Sequence, residues 1–312
     1  MAKYIYLQDS HIKGKNSTFR IGNYYSDMLL KIQEVIDLSV EKKVDAVIHG
    51  GDLFNGNMVS TVMIDDIVDR IEKAKIPWKI VWGNHDQINH SSDLSNASAL
   101  AHIFRRSKFI SHLEEIKDNK SIIKGFDYYH NIEEDIKEKG LYYSDKTKKW
   151  KIAIVHAFIT EKPFLPQVMH IPIQDISSDY DVILVSHNHQ QFGIKTKGKT
   201  KYINIGCLGR QSIQEAKTTP QVLFIDTDKQ EIYPIILKTA KPKEEVFDLE
   251  KVEEIKKYEK DIDNFIESLN SAKVEGLNLR GLVESICREK NENKEVTDCI
   301  IKRISKYEDE NK

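Results

Sequence analysis

No stretch of this chain comes near the roughly twenty consecutive apolar residues needed to cross a bilayer, and no internal repeat marks a solenoid or an array. Cysteine is scarce: Cys207, Cys287 and Cys299 are odd in number, far apart and form no C-x-x-C pair. That excludes a disulfide framework and a thiolate zinc site, and it fits a reducing compartment. An excess of either charge is missing as well, with 47 Lys and Arg against 49 Asp and Glu and a formal net charge of −2. A strongly basic protein would attract nucleic acid as a whole. Here any grip on a phosphate backbone has to come from local basic patches or bound cations. The opening MAKYIYLQDS has no long apolar core with a small-residue cleavage site. It reads as a first strand rather than a signal peptide, and a cytoplasmic protein is expected. What is present, 312 residues of which 40% are apolar, suffices for one large domain with a small appendage, or for two domains.

Short apolar runs alternate with helical patterns. KYIYLQ (3–8), VDAVIHG (44–50), WKIVWG (78–83), KIAIVH (151–156) and DVILVSH (181–187) have the length and β-rich content of strands. Within residues 26–43, Leu29, Ile32, Ile36 and Val40 recur at helical spacing and put one apolar stripe on a helix. Residues 60–75 repeat the device with Met63, Ile67 and Ile71, and Ser60 is placed to cap that helix. This alternation predicts parallel strands joined by right-handed crossovers. Past His189, residues 192–207 read as a hairpin turning at Gly198, and 221–237 as another turning near Asp228, so this half is expected to be antiparallel or mixed. From about Lys241 the composition shifts to charged helix. A narrow stripe (Val246, Leu249, Val252, Ile255, Ile262, Ile266, Leu269) runs through 244–269, AKVEG (272–276) breaks it, and two amphipathic segments follow at 278–290 and 295–307.

Polar residues stand at the end of every strand-like run. Asp9-Ser10-His11 follows the first, Gly50-Gly51-Asp52 ends the second, and Gly83-Asn84-His85-Asp86 follows the third. The fourth ends in His156 and the fifth in His187-Asn188-His189. In open α/β sheets the carboxyl ends of strands share one edge, where ligands bind, so these distant residues are expected in a single crevice. Gly83 is expected to let the chain turn sharply there. Burying so many donors and charges is costly unless bound cations resolve it. A mixed imidazole and carboxylate set without thiolate suits Mn²⁺, Fe or Zn²⁺ better than Ca²⁺, and exceeds what one tetrahedral ion takes. Two ions are therefore expected, with Asp52 as the natural bridging carboxylate. Two such ions about 3.5–4 Å apart clamp a phosphate and supply a nucleophile at neutral pH, which makes phosphoester hydrolysis the expected chemistry.

D-x-H, G-D, G-N-H-D, a lone His after a strand and H-x-H, in this order, resemble the calcineurin-like metallophosphoesterases. The resemblance implies an α/β fold, a four-layer sandwich of two mixed β-sheets flanked by helices, here with a helical C-terminal extension. It implies one ion held by Asp9, His11, Asp52 and His189, and a second held by Asp52, Asn84, His156 and His187. His85 would act catalytically, stabilising the pentacovalent phosphorus or protonating the leaving oxygen, while Asp86 orients the turn. The usual Gly before H-x-H is Ser186 here. GDLF (51–54), and Gly206, Arg210 and Glu215 in GCLGRQSIQE (206–215), are similar to the SbcD-type nucleases of double-strand-break repair. On that resemblance 1–238 is the catalytic domain, 239–275 a helical linker in place of a DNA-binding cap, and 276–312 a partner-binding segment.

The reading is thus a dinuclear-metal phosphodiesterase, a DNA exo- or endonuclease subunit of an SbcCD-like repair and recombination complex. Mn²⁺ is the first choice of metal, with Mg²⁺, Fe or Zn²⁺ as alternatives. DNA and an SMC-like coiled-coil ATPase of SbcC type are the expected partners, a homodimer is a further candidate, and no membrane is involved. Two rivals remain: a phosphodiesterase for cyclic nucleotides or small phosphoesters, and a scaffold subunit with a vestigial site. Bland readings accompany the other features. His49, His90, His102, His112, His130 and His170 are taken as ordinary histidines, with His90 also placed to rim the site. The lysines of 146–151 and 195–201 are either solvated or grip phosphates, Arg210 is either structural or a substrate contact, and the terminal stripes either fold back or dock a partner helix.

Overall fold

The computed structural model describes residues 2–88, 97–271, 279–289 and 294–310. The chain forms two compact units, one from Met1 to Phe247 and a second from Asp248 to Lys312.

The first unit holds two six-stranded mixed sheets. In the first sheet β1 (Lys3–Leu7), β2 (Ala46–His49), β3 (Trp78–Ile80) and β4 (Ile110–His112) run parallel, through α1 (Tyr24–Lys42), α2 (Thr61–Ala74) and α3 (Ala99–Arg106). The later strand β13 (Gln221–Asp226) adds antiparallel to β1, and β14 (Glu231–Ile236) adds antiparallel to β13. The second sheet has the order β11 (Gly193–Lys197), β12 (Thr200–Asn204), β10 (Val182–His187), β7 (Trp150–Ala157), β6 (Ser121–Phe126) and β5 (Glu115–Lys117). Its inner strands β12, β10, β7 and β6 are parallel and its edges antiparallel. A short helix α4 (Ile132–Lys139) and a two-stranded pair, β8 (Ile159–Thr160) with β9 (Ile171–Pro172), complete the unit.

Strand alternation explains the layering. In β1, Ile5 and Leu7 join the core under α1 and α2, whereas Tyr4 and Tyr6 join the core between the sheets. In β7, Ile152 and Ile154 face that same intersheet core and Ala153 and Val155 face the layer containing α4. Both faces of the central strands are covered, which is why they read as unbroken apolar runs. The helices start where short polar side chains accept from backbone amides: Asn23 from Ser26 N at 3.0 Å, and Ser60, as expected, from Met63 N at 3.4 Å.

Two expectations change in detail. The strands carrying the polar ends belong to two facing sheets, β1, β2 and β3 in one and β7 and β10 in the other, not to a single edge. Residues 97–149, for which no element was expected, contribute α3, α4 and β4 to β6, all of eight residues or fewer. Their brevity is what hid them.

The second unit contains α5 (Leu249–Ser271), α6 (Leu279–Glu289) and α7 (Lys294–Glu310). The helix expected from Glu244 begins at Leu249, because Lys243–Glu245 form a separate 3₁₀ turn after Pro242. Ile262, Val283, Cys287, Ile300 and Ile304 are buried against one another, and Arg303 pairs with Asp263 at 2.9 Å and Glu259 at 3.3 Å. The apolar stripes thus cover each other within this unit. The AKVEG break lies outside the described residues. Among the described residues no helix is long and apolar enough to cross a membrane.

Candidate metal centre

Asp9 and His11 follow β1, Asp52 follows β2, Asn84 and His85 follow β3, His156 lies in β7, and His187 and His189 end β10. The structure brings all eight together. Asp9, His11, Asp52 and His187 have positive φ angles of 48°, 44°, 56° and 73°. Such a backbone costs a non-glycine residue on the order of 1–3 kcal/mol and persists only where its surroundings fix it. Here the loops after β1 and β2 are bonded to each other: Asp9 N donates to Gly51 O at 3.2 Å, His11 N to Asp52 O at 3.0 Å and Ile12 N to Leu53 O at 3.0 Å.

Asp52 is the hub. Its Oδ1 accepts from His85 N at 2.8 Å. Its Oδ2 lies 3.5 Å from both His11 Nε2 and His156 Nε2, is buried, and has no hydrogen-bond partner. His11 Nδ1 is likewise buried without a partner. Orphaned buried polar atoms are rare, and a cation between Asp52 and the imidazole nitrogens would resolve the carboxylate oxygen. On one flank His11 Nε2 and His189 Nε2 are 2.9 Å apart. On the other, His156 Nε2 is 3.1 Å from Asn84 Oδ1.

Three imidazoles are anchored through Nδ1. His156 donates to Gly50 O at 2.8 Å, His85 to Asn55 O at 3.1 Å, and His189 to Glu215 Oε1 at 2.6 Å. Each anchor leaves the Nε2 lone pair available, the arrangement that orients metal-binding histidines. Donor atoms within 4.8 Å of one another form the groups Asp9, His11, His189; His11, Asp52, His85; and Asp52, His156, His187. Two of these hold three of the four residues of each expected set, and the third brings His85 to the centre as well. A fourth group, His189, Cys207 and Glu215, is less suited to an ion. Burial pushes the Cys207 thiol well up and so keeps it protonated.

Charge is unevenly held. Burial works to raise Asp52, but the nearby imidazoles of His156, His11 and His85 outweigh it and keep the carboxylate ionised. Burial, against His189 and His156, pushes Asp9 up to about 6. Burial opposes protonation of His156, yet Asp52 overcomes it and lifts His156 to about 9. Burial and neighbouring His156 lower His187 to about 3. Five histidines and two carboxylates packed this closely share protons unevenly because too few charges balance.

The supporting residues explain the motifs. Asp86 accepts from Asp52 N at 2.8 Å, Leu53 N at 3.2 Å and Gly83 N at 2.9 Å, so it ties two loops together rather than orienting its own turn alone. Gly83 is not in a left-handed conformation. It is needed because a Cβ there would strike the Asp52 carboxylate and backbone nitrogen. Gly83→Ala is therefore expected to cost about 1–3 kcal/mol and to displace Asp52, read as a lower Tm together with weakened Mn²⁺ binding. Gly51, at φ 101°, has the same closeness to His156 Nδ1. Ser186 fits where a glycine was expected because its Oγ donates to Gly50 O at 2.5 Å and Val155 O at 3.1 Å.

Sequence reasoning missed the anchoring role of Glu215, although the residue stood out, and the packing of Tyr128 and Phe158 rings against His187, each with a centroid separation of 5.7 Å. Arg210 is buried and donates to Lys241 O at 2.6 Å, which makes it structural. His49 is a buried core histidine bonded to Ser10 Oγ at 2.7 Å. His112 pairs with Asp127, and His170 lies in a loop. His90 lies outside the described residues. Lys149, Lys151, Lys195 and Lys197 are engaged with local carbonyls and carboxylates, as solvated faces would have them. A cleft of 360 Å³ opens onto Asp52, His85, His187 and His189. A larger cavity of 580 Å³ beside Tyr142 and Lys197 contains none of these donors.

Comparison with known proteins finds relatives by sequence and by structure. A DNA double-strand break repair protein Mre11 from Methanococcus maripaludis is 25% identical over 235 residues, covering 69% of this chain and 59% of that protein. One from Halobacterium salinarum is 23% identical, covering 61% and 47%. The chain thus spans about half the length of these curated relatives. A solved dimetal phosphatase from Danio rerio is 12% identical, covers 75% of this chain and 98% of its own, and superposes with a TM-score of 0.47. The calcineurin-like phosphoesterase family profile matches residues 9–191, more than half of the sequence, and the chain belongs to that family.

Proposed function

We propose that this chain is a dinuclear-metal phosphodiesterase acting on DNA. The observation that carries the proposal is Asp52 Oδ2, partnerless and 3.5 Å from an imidazole nitrogen on either side. Asp9, His11, Asp52 and His189 would hold one divalent ion, and Asp52, Asn84, His156 and His187 the other. Mn²⁺ is the first choice for this donor set. When bound, such ions acidify water and neutralise phosphate charge.

The protein's own groups do the rest. Asp52 fixes the spacing of the two donor sets. The Glu215 and Gly50 contacts hold His189 and His156 in the tautomer with Nε2 available. His85 is held by Nδ1 on Asn55 O, which turns Nε2 to the cleft, where a proton taken up there would pass to the leaving oxygen.

The Asp9 carboxyl sets a pH dependence. Its value of about 6 is raised from the ordinary 3.8, so its contribution to metal-free stability is complete below 3.8 and lost as pH rises through about 6. Metal binding needs the carboxylate. The Tm increase given by Mn²⁺ is therefore expected to grow between about pH 5 and pH 7. A pH-independent increase would remove Asp9 from the ligand set.

DNA is favoured over small phosphoesters because the relatives are named for double-strand break repair and because GDLF, Gly206 and Glu215 match that branch. End-labelled single- and double-stranded oligonucleotides with Mn²⁺, Mg²⁺ or chelator, run beside a cyclic-nucleotide panel, test it. Intact oligonucleotides alongside hydrolysed nucleotides would give the site to the small-substrate rival. Residues 1–238 would be the catalytic part, 239–275 a linker and 276–312 the segment that engages an SMC-like ATPase. Because Ile262, Val283 and Ile300 already pack together, an outer face of those helices would make that contact. Removing 276–312 should spare diester hydrolysis and abolish co-purification with the ATPase.

A further inference from the structure

We infer that the loop at 161–170 is a nucleobase platform: its apolar crest receives the base of the nucleotide whose phosphate reaches the metal centre. This rests on the phosphodiesterase reading and deepens it by naming the surface that receives the base.

The loop, EKPFLPQVMH, joins β8 to β9 and turns large apolar residues to solvent, with Leu165 52% and Met169 53% exposed. Such a display forfeits hydrophobic stabilisation unless something covers it. The loop is also braced. Phe164 N donates to His170 Nε2 at 2.9 Å, His170 Nδ1 donates to Val168 O at 2.7 Å, and Val168 N donates to Leu165 O at 3.0 Å. The Phe164 ring meets Phe158 edge-on at 5.6 Å, and Phe158 meets His187 edge-on at 5.7 Å. Two aromatic rings thus fasten the crest to a residue of the metal centre.

Position selects the occupant. Val168 and Met169 line the same cleft as Asp52, His85 and His189, so what covers them is joined to the phosphate bound there. That cleft also presents the amides of Gln190 and Gln214. A base has apolar faces and hydrogen-bonding edges, and sequence-tolerant stacking on a side-chain surface is how single strands are commonly held. A simple alkyl phosphate would leave the crest bare.

The test uses the full chain with Mn²⁺ and two esters that share a leaving group, p-nitrophenyl thymidine 5′-phosphate and p-nitrophenyl methyl phosphate. In a Val168→Ser/Met169→Ser protein the thymidine-to-methyl ratio of kcat/KM is expected to fall about tenfold, through KM. Calorimetric binding of thymidine 5′-monophosphate should weaken by the same factor relative to inorganic phosphate. Met169→Leu, which keeps the apolar surface, should keep the wild-type ratio. An unchanged ratio in the double variant, or equal losses on both esters, overturns the platform and leaves phosphodiester hydrolysis standing. A change confined to the protein's mass in solution overturns it too, and gives the crest to a second copy. Wild-type protein that cleaves neither ester overturns the phosphodiesterase reading, and the platform with it.

Discussion

Asp52→Asn is expected to lower phosphodiester turnover about a thousandfold or more, because one atom serves both donor sets. The substitution preserves shape and leaves an acceptor for His85 N, which the carboxylate now holds at 2.8 Å, so folding should survive. The other oxygen, 3.5 Å from His11 Nε2 and His156 Nε2, becomes neutral or is replaced by an amide nitrogen. Neither can bridge two cations. Calorimetry should therefore show weakened binding at both positions, not one. Turnover close to wild type would remove Asp52 from the chemistry and favour the vestigial-site reading.

His85→Gln carries the second-largest effect. Loss of a general acid typically costs about 10²–10⁴ in rate, and the loss should fall on kcat with Mn²⁺ stoichiometry retained. The distinction matters because His85 sits with His11 and Asp52 within donor distance, its ring centroid 4.7 Å from that of His11. If the variant loses an ion as well as turnover, His85 is a ligand. If both survive, it is neither ligand nor acid.

The clustered donor residues could be read from the chain because each stands at or just past the end of a run buried on both faces. Where Tyr4 to Leu7 gives way to Asp9 and His11, the core ends and the site begins. The order of the polar stops therefore mapped onto one crevice even though two sheets, not one edge, supply it. The intersheet arrangement was less visible, since alternate residues of β1 and β7 are all apolar and the sequence does not mark which face meets which layer. The reason for Gly83 was also hidden. Its need is for space beside Asp52, 31 positions away in the chain, and no local turn signal encodes it. The anchoring carbonyls of Gly50 and Asn55 are backbone atoms and leave no trace in residue identity. In the C-terminal unit the apolar spacing revealed the helices but not their mates. Ile262, Val283 and Ile304 pack on one another, where spacing alone fits a partner's groove as well.

The account stands on a shared carboxylate between two ions, and anomalous diffraction at the manganese edge from crystals grown with Mn²⁺ examines that directly. Two peaks are expected, both in contact with Asp52, one beside His11 and His189 and the other beside Asn84, His156 and His187. A single peak at saturating Mn²⁺, or a pair of peaks with Asp52 touching only one, would contradict it.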